Sequence, residues 1–252
     1  MAQIISIANQ KGGVGKTTTS VNLSAALASV GKNVLLVDCD SQANATTGMG
    51  IDKPSLEYSL YQGLIGICNI DKIIYPTALT KLKIIPATMD LIGFEYECIS
   101  EKGREKKIRY LLEPVKDQFD YIILDCPPAL GLLTLNAFTA SNSVLIPLQS
   151  EFYALEGLGQ LLDTIKRVKA SFNPGLKIKG ILLTMYDSRT NLSQQVVEDA
   201  QKYFKDMVFK TKITRNVKLS EAPSYGMPII LYDKQSPGAK NYMAFTREFL
   251  KR

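Results

Sequence analysis

Lys11-Gly12-Gly13-Val14-Gly15-Lys16-Thr17-Thr18, residues 11–18, follows a short apolar run, Ile4 to Ala8, and leads into a helix-like stretch that continues to Val30 and stops at Gly31. Strand, glycine-rich loop and helix in that order build a cradle for phosphate. Glycines let successive backbone N–H groups turn inward without a Cβ clash, and the helix start offers the positive end of its dipole; a lysine can then reach the β- and γ-phosphates and a hydroxyl can sit on Mg²⁺. Gly12, Gly13, Gly15, Lys16 and Thr17 supply each of these parts, with Thr18 beside them. The general spacing of such loops has a glycine at position 10, where Gln10 stands; the match is to the variant KGGxGKT, which opens on a second lysine, Lys11.

Working outward, buried strands are expected at Asn33 to Asp38, Leu82 to Pro86, Tyr121 to Asp125, Val144 to Leu148 and Ile178 to Thr184. Helix-like stretches lie between them: Glu101 to Val115, Leu132 to Ala140, and Leu155 to Val168, where Leu155, Leu158, Leu161, Leu162, Ile165 and Val168 keep helical spacing. Gly48 to Asn69 reads as loop with a short helix near Leu56 to Leu64, and Tyr242, Phe245, Phe249 and Leu250 suit packing of the last segment against the sheet. Continuous apolar strands alternating with helices predict an α/β fold, a doubly wound, mostly parallel sheet covered by helices on both faces. No repeat or linker interrupts the pattern, so residues 1–252 are expected to form one domain.

In such a sheet the ligand lies beyond the carboxyl ends of the strands. Asp38 and Asp40 at one strand end and Asp125 at another would then face the phosphates, where carboxylates hold Mg²⁺ through its waters or position an attacking water. An acidic residue after a strand is often only a loop cap; three at two strand ends opposite a phosphate cradle favour a site.

Composition narrows the chemistry further. Hydrophobic residues are 46% and charged residues 21% of 252, as in soluble globular proteins, and there is no histidine. That absence excludes Ser-His-Asp and Cys-His hydrolases, histidine-ligated zinc and a histidine general base. Cys39, Cys68, Cys98 and Cys126 form no CxxC pair and read as small hydrophobes in a reducing compartment. No signal-like or membrane-spanning run is present, so a cytoplasmic protein is expected. The net charge of +6 is uneven: residues 1–150 carry −1 and residues 151–252 carry +7. Between Gln201 and Ser220, Lys202, Lys205, Lys210, Lys212, Arg215 and Lys218 stand against one acid, Asp206. The residues alone leave open a solvated face or a polyanion site.

The stretches ANQKGGVGKTTT (8–19), VDCDSQANATTG (37–48), YIILDCPPALGLLTLNAF (121–138), PLQSEFYALEGLGQL (147–161), LLTMYDSRTNLS (182–193) and RNVKLSEAPSYGMPI (215–229) resemble the ParA/Soj branch of the deviant Walker A P-loop ATPases, the chromosome and plasmid partition ATPases. The resemblance spans nearly the whole chain. It implies ATP and Mg²⁺ as cofactors and a nucleotide-sandwich homodimer in which Lys11 of one subunit reaches the phosphates of the other. It also implies Lys16 and Thr17 on the β/γ-phosphates and Mg²⁺, Thr18 on the α-phosphate, Asp40 on the attacking water and the metal, Asp125 at the Walker B position, Gly12 at the dimer contact, and Asn216 in the segment lining the adenine. Further expectations are non-specific double-stranded DNA binding through Arg189, Arg215 and Lys218, nucleoid association, a ParB-type DNA-binding partner that stimulates slow ATP hydrolysis, and no membrane partner. Two positions depart from the family pattern: Ser41 and Thr214 stand where prolines are common. A membrane-surface division-site ATPase of the MinD type and a ParA-like regulator of replication without a segregation role are the alternatives. Cys126 beside Asp125 also resembles, faintly, a cluster-binding cysteine of the iron–sulfur reductases in this superfamily, with Cys98 the conceivable second ligand, but a buried thiol is the simpler reading.

Overall fold

Strands buried on both faces must divide alternate side chains between two cores. In the computed structural model, which describes residues 2–151 and 154–252, with the side chains of 154–156 excepted, they do. Among the described residues there are seven strands: β1 (Gln3–Ile7), β2 (Val34–Asp38), β3 (Tyr75–Pro76), β4 (Leu82–Ile85), β5 (Tyr121–Asp125), β6 (Ser143–Gln149) and β7 (Lys177–Thr184). They form one sheet in the order β3-β4-β2-β5-β1-β6-β7. All neighbours run parallel except the two-residue edge strand β3, which is antiparallel to β4.

Eleven α-helices are described: α1 (Lys16–Ser29), α2 (Asn44–Gly48), α3 (Leu60–Leu64), α4 (Leu91–Glu97), α5 (Lys107–Leu112), α6 (Leu132–Ala140), α7 (Ala154–Ser171), α8 (Asn191–Phe204), α9 (Val217–Glu221), α10 (Ile229–Tyr232) and α11 (Pro237–Phe249). On one face Leu35, Val37, Ile122, Leu124, Val144 and Ile146 meet α3 to α8. On the other, Ile5, Ile7, Leu36, Ile123 and Leu145 meet α1, α2 and α9 to α11. The doubly wound parallel sheet expected from the sequence is therefore present.

Three local expectations are corrected. Glu101 to Val115 is not one helix: Gly103 has φ +79°, a short 3₁₀ turn follows, and α5 covers only Lys107–Leu112. Leu250 is 37% exposed, whereas Tyr242, Phe245 and Phe249 are buried as expected. The Leu56–Leu64 helix shrinks to Leu60–Leu64, with a Ser59–Gln62 capping box setting its start. Leu155, the first residue of the expected face of α7, lies outside the described side chains; Leu158, Leu161, Ile165 and Val168 of that face are buried.

Sheet register explains why the acidic loops meet. Asp125 of β5 pairs in register with Ile7 of β1 on one side and Asp38 of β2 on the other. Three carboxyl-terminal strand ends therefore open side by side, with β5 in the middle, and the glycine loop leaves from β1 beside it.

Candidate active site

The loop is fastened at both ends before it turns. Asn9, buried after β1, donates from Nδ2 to the Pro147 carbonyl at 2.7 Å and accepts the Lys11 N–H on Oδ1 at 3.0 Å. Val14 is buried, and its carbonyl accepts the Thr184 hydroxyl from the end of β7 at 2.8 Å. Between them Gly13 and Gly15 have φ of +74° and +84°, a region that side chains disfavour. Gly15 caps α1 without a side chain, so the first N–H groups of the helix face the loop.

Lys16 is only 7% exposed. Its ammonium donates to the Lys11 carbonyl at 3.1 Å and makes no ion pair at bonding distance among the described residues. Burial lowers its pKa, while the charge of Asp125, more than that of Asp40, works the other way. A desolvated ammonium with a single carbonyl partner is an anion site.

Asp125 is fully buried at the end of β5. Its Oδ1 accepts the Ser20 hydroxyl at 2.7 Å, and Oδ2 has no hydrogen-bond partner among the described residues. Burial and then the facing Asp38 carboxyl raise its pKa, and the hydroxyls of Ser20 and Thr17 oppose the shift. An orphaned buried carboxylate oxygen near a threonine hydroxyl and a buried lysine is a donor set that fits a hydrated divalent cation. Asp38 has a different task from the one its position suggests. Its Oδ2 accepts both the N–H and the hydroxyl of Thr46 at 2.8 Å, and its Oδ1 accepts the Asp40 N–H at 3.2 Å. Asp38 thus ties the strand end to α2, and the expectation that it faces phosphate is corrected. Asp40 is partly exposed; its Oδ1 accepts the Gln42 N–H at 3.0 Å and its carbonyl accepts the Ala43 N–H at 2.8 Å, which closes the loop around Ser41 without a proline.

Lys11 points to its own chain. Its Nζ lies 3.6 Å from Glu151 Oε2, and Gln149 Nε2 braces the same residue at 2.6 Å on Oε1. Space around Gly12 is open, with nothing within 4 Å of where a Cβ would stand.

Beside the cradle a cavity of about 320 Å³ is lined by Gly15, Thr18, Thr184, Arg215, Asn216 and Pro223, among others. Asn216 caps α9 by accepting the Lys218 N–H on Oδ1 at 2.9 Å. Thr214 is held by Asn241, whose Oδ1 takes both its hydroxyl, at 2.7 Å, and its N–H, at 3.1 Å. A proline there could donate neither bond.

The three expected DNA residues gather on adjoining segments, because Tyr186 bridges to Thr214 and its carbonyl accepts the Arg215 N–H at 3.0 Å. Two are already paired. Arg189 forms a two-pronged contact to Asp187 at 2.9 and 2.7 Å, which holds the Asp187 carboxyl down to about 2, and Lys218 Nζ reaches Glu221 at 3.0 Å. Arg215 is exposed and has no ion pair at bonding distance among the described residues.

Ser20, Thr46, Glu151 and Asn241 escaped the sequence reading, since each supports a neighbour rather than forming part of a motif. Thr46 follows Asp38 within VDCDSQANATTG, and Ser20 lies one helical turn beyond Lys16, so their spacing carried a faint signal. Cys126 and Cys98 are both buried in the core of the α3–α8 face, as small hydrophobes would be.

A family model described as AAA domain matches residues 2–178. The sporulation initiation inhibitor protein Soj of Bacillus subtilis is 56% identical over 248 residues, covering 98% of each chain. The chromosome partitioning protein ParA of Myxococcus xanthus is 53% identical, covering 100% of this chain and 89% of that one. Among solved structures, cobyrinic acid a,c-diamide synthase from Mycobacterium smegmatis with bound ADP and magnesium superposes with a TM-score of 0.88 at 37% identity, covering 100% of this chain and 95% of that chain.

Proposed function

The chain belongs to the ParA/Soj family of partition ATPases, and on that premise we propose that it is an ATP-switched homodimer that holds double-stranded DNA non-specifically and partitions chromosome or plasmid copies with a DNA-bound ParB-type partner. Residues 1–252 act as one ATPase domain. The observation that carries the reading is Lys16, a buried ammonium at the mouth of a glycine loop with one carbonyl for company and no anion of its own.

In this reading the loop N–H groups from Gly12 to Thr18 cradle the phosphates, Lys16 neutralises the β- and γ-oxygens, and Thr18 donates to the α-phosphate. Thr17, Asp40 and Asp125 would hold Mg²⁺, which when bound offsets charge developing on the phosphate oxygens. Asp40, whose Oδ2 makes no hydrogen bond with a described residue, orients the attacking water. Asn216 and the Thr214–Asn241 clasp shape the wall for the base. Lys11 leaves Glu151 and crosses to the phosphates of a second subunit, with Gly12 at the contact, where open space supports close approach. Turnover is slow until the ParB-type partner stimulates it.

Arg189, Arg215 and Lys218 form the phosphate-binding stripe, and Asp187 and Glu221 give way when DNA arrives. Exposed ion pairs of this kind are weak and screened, so polyanionic phosphate competes well with them. The test is binding of a labelled duplex with and without ATP. Affinity should require ATP, ignore base sequence, and lose about 0.9 from its log–log salt slope for each phosphate contact removed. Arg189→Glu or Lys218→Glu should abolish the binding and keep basal ATPase. Equal binding without ATP, or a charge-reversed variant that still binds at moderate salt, would remove DNA from the proposal.

A further inference from the structure

On the α1/α11 face of the sheet, away from the three strand ends, a groove of about 550 Å³ opens between α10, α11 and the turn before β4. Its floor is apolar: Leu79, Ile230, Ala239 and Met243. Its rim is cationic: Lys234, Lys240 and Arg247. Among the described residues no aspartate or glutamate lines it.

The sequence of α11 builds the asymmetry. Tyr242, Phe245 and Phe249 are buried under the sheet, which leaves Lys240, Met243 and Arg247, spaced i, i+3 and i+7, on one outward stripe. Leu231 of α10, 41% exposed, stands beside that stripe. Some cations in the last two fifths of the chain are paired, Lys166 with Asp163, Arg189 with Asp187, Lys218 with Glu221 and Arg252 with Glu248, whereas Arg215, like others, makes no ion pair with a described residue. Lys234, Lys240 and Arg247 make no ion pair with any described residue. The carboxylates next in sequence to Lys234 and Arg247 are committed elsewhere. Asp233 accepts the N–H groups of Gln235 and Ser236, and Glu248 accepts those of Lys210 and Thr211.

We propose that this groove docks an acidic amphipathic helix of a partner protein, its apolar side chains on Leu79, Ile230 and Met243 and its carboxylates on Lys234, Lys240 and Arg247. An apolar slot with unpaired cations on the rim and no internal counter-charge is complementary to such a helix, which buries anchors at i, i+3 or i+4, and i+7. Duplex DNA fits less well, because phosphates gain nothing from an apolar floor. The proposal does not depend on the partition reading, since none of these residues belongs to the nucleotide site or to the Arg189 stripe.

The test is an amide chemical-shift titration of the full-length protein with a synthetic helix of roughly 15 residues, about four turns, carrying leucines on one face and glutamates on the other. Shifts should concentrate at Leu79, Ile230, Ala239 and Met243, saturate below about 1 mM peptide, and weaken as salt rises. The double variant Lys240→Glu/Arg247→Glu should weaken binding by at least about tenfold, while Met243→Ala weakens it without changing the salt dependence; ATPase should be unchanged in both. A peptide with lysine in place of glutamate, or serine in place of leucine, should not bind. No shift in the groove at that concentration would overturn the proposal. So would a short DNA duplex or vesicles of phosphatidylglycerol shifting the same amides while the peptide does not.

Discussion

A lysine taken out of water and given one carbonyl has an unmet demand for negative charge, and Lys16 is in that condition. Asp125 is its complement, a buried carboxylate with one oxygen unpartnered. The two are coherent only if something doubly charged, a phosphate with its cation, joins them. Asp40 is the partly exposed member of the acidic set, and the role proposed for it separates binding from turnover. Asp40→Ala should bind ATP and form a long-lived dimer, yet hydrolyse ATP roughly 10²–10⁴ times more slowly, because the cradle survives and the water loses its acceptor. Phosphate release near the wild-type rate would move that role to another residue. Asp38 acts through structure instead. Thr46→Val removes both the hydroxyl bond to Asp38 and the one that Thr46 Oγ1 accepts from the Ala87 N–H at 3.0 Å. Urea unfolding should show a loss of about 1–3 kcal/mol, the usual cost of buried polar groups left unpaired; an unchanged midpoint would mean that the Asp38–Thr46 contact is not a fastening.

At the scale of elements, legibility followed burial. Strands β2, β5, β6 and β7 were readable to within one residue because both faces are apolar, and α6 was readable from Leu132 to Ala140. The cradle was readable because its residue types are dictated by phosphate geometry. Helix α8 was not read: its buried Ser193, Val196, Val197 and Ala200 are small or β-branched, and the Thr190 cap lies in a polar run that resembles loop. Strand β3 was too short to leave a pattern, and its proline suits only a sheet edge. Pairwise fastenings such as Lys11–Glu151 and Thr214–Asn241 join residues distant in sequence, where no local period points to them. One fastening between elements is backbone on backbone. Gly50, just past α2, and Gly226, just before α10, have φ of +73° and +63°, and a Cβ on Gly226 would stand 2.6 Å from the Gly50 Cα. Gly226→Ala should therefore lower stability by about 1–3 kcal/mol and loosen α2, the helix that follows Asp40. Thermal unfolding checks the first part; a melting temperature equal to wild type would mean that the two turns can part freely.

The whole molecule carries its excess charge in the last two fifths of the chain and its glycine loop near the start, so in the proposed reading nucleotide and polyanion are served by different regions. What would couple them is a second copy. Lys11 stands 3.6 Å from Glu151 at partial exposure, a weak contact that a triphosphate on a facing subunit would outcompete. A dimer built that way also doubles the stripe of Arg189, Arg215 and Lys218 and makes DNA affinity follow the nucleotide. Light scattering coupled to size exclusion tests whether ATP closes the dimer through Lys11. With ATP and Mg²⁺ the wild type should shift from monomer mass to dimer mass, whereas Lys11→Ala should bind ATP and stay at monomer mass; a Lys11→Ala dimer as stable as the wild-type one would contradict the account.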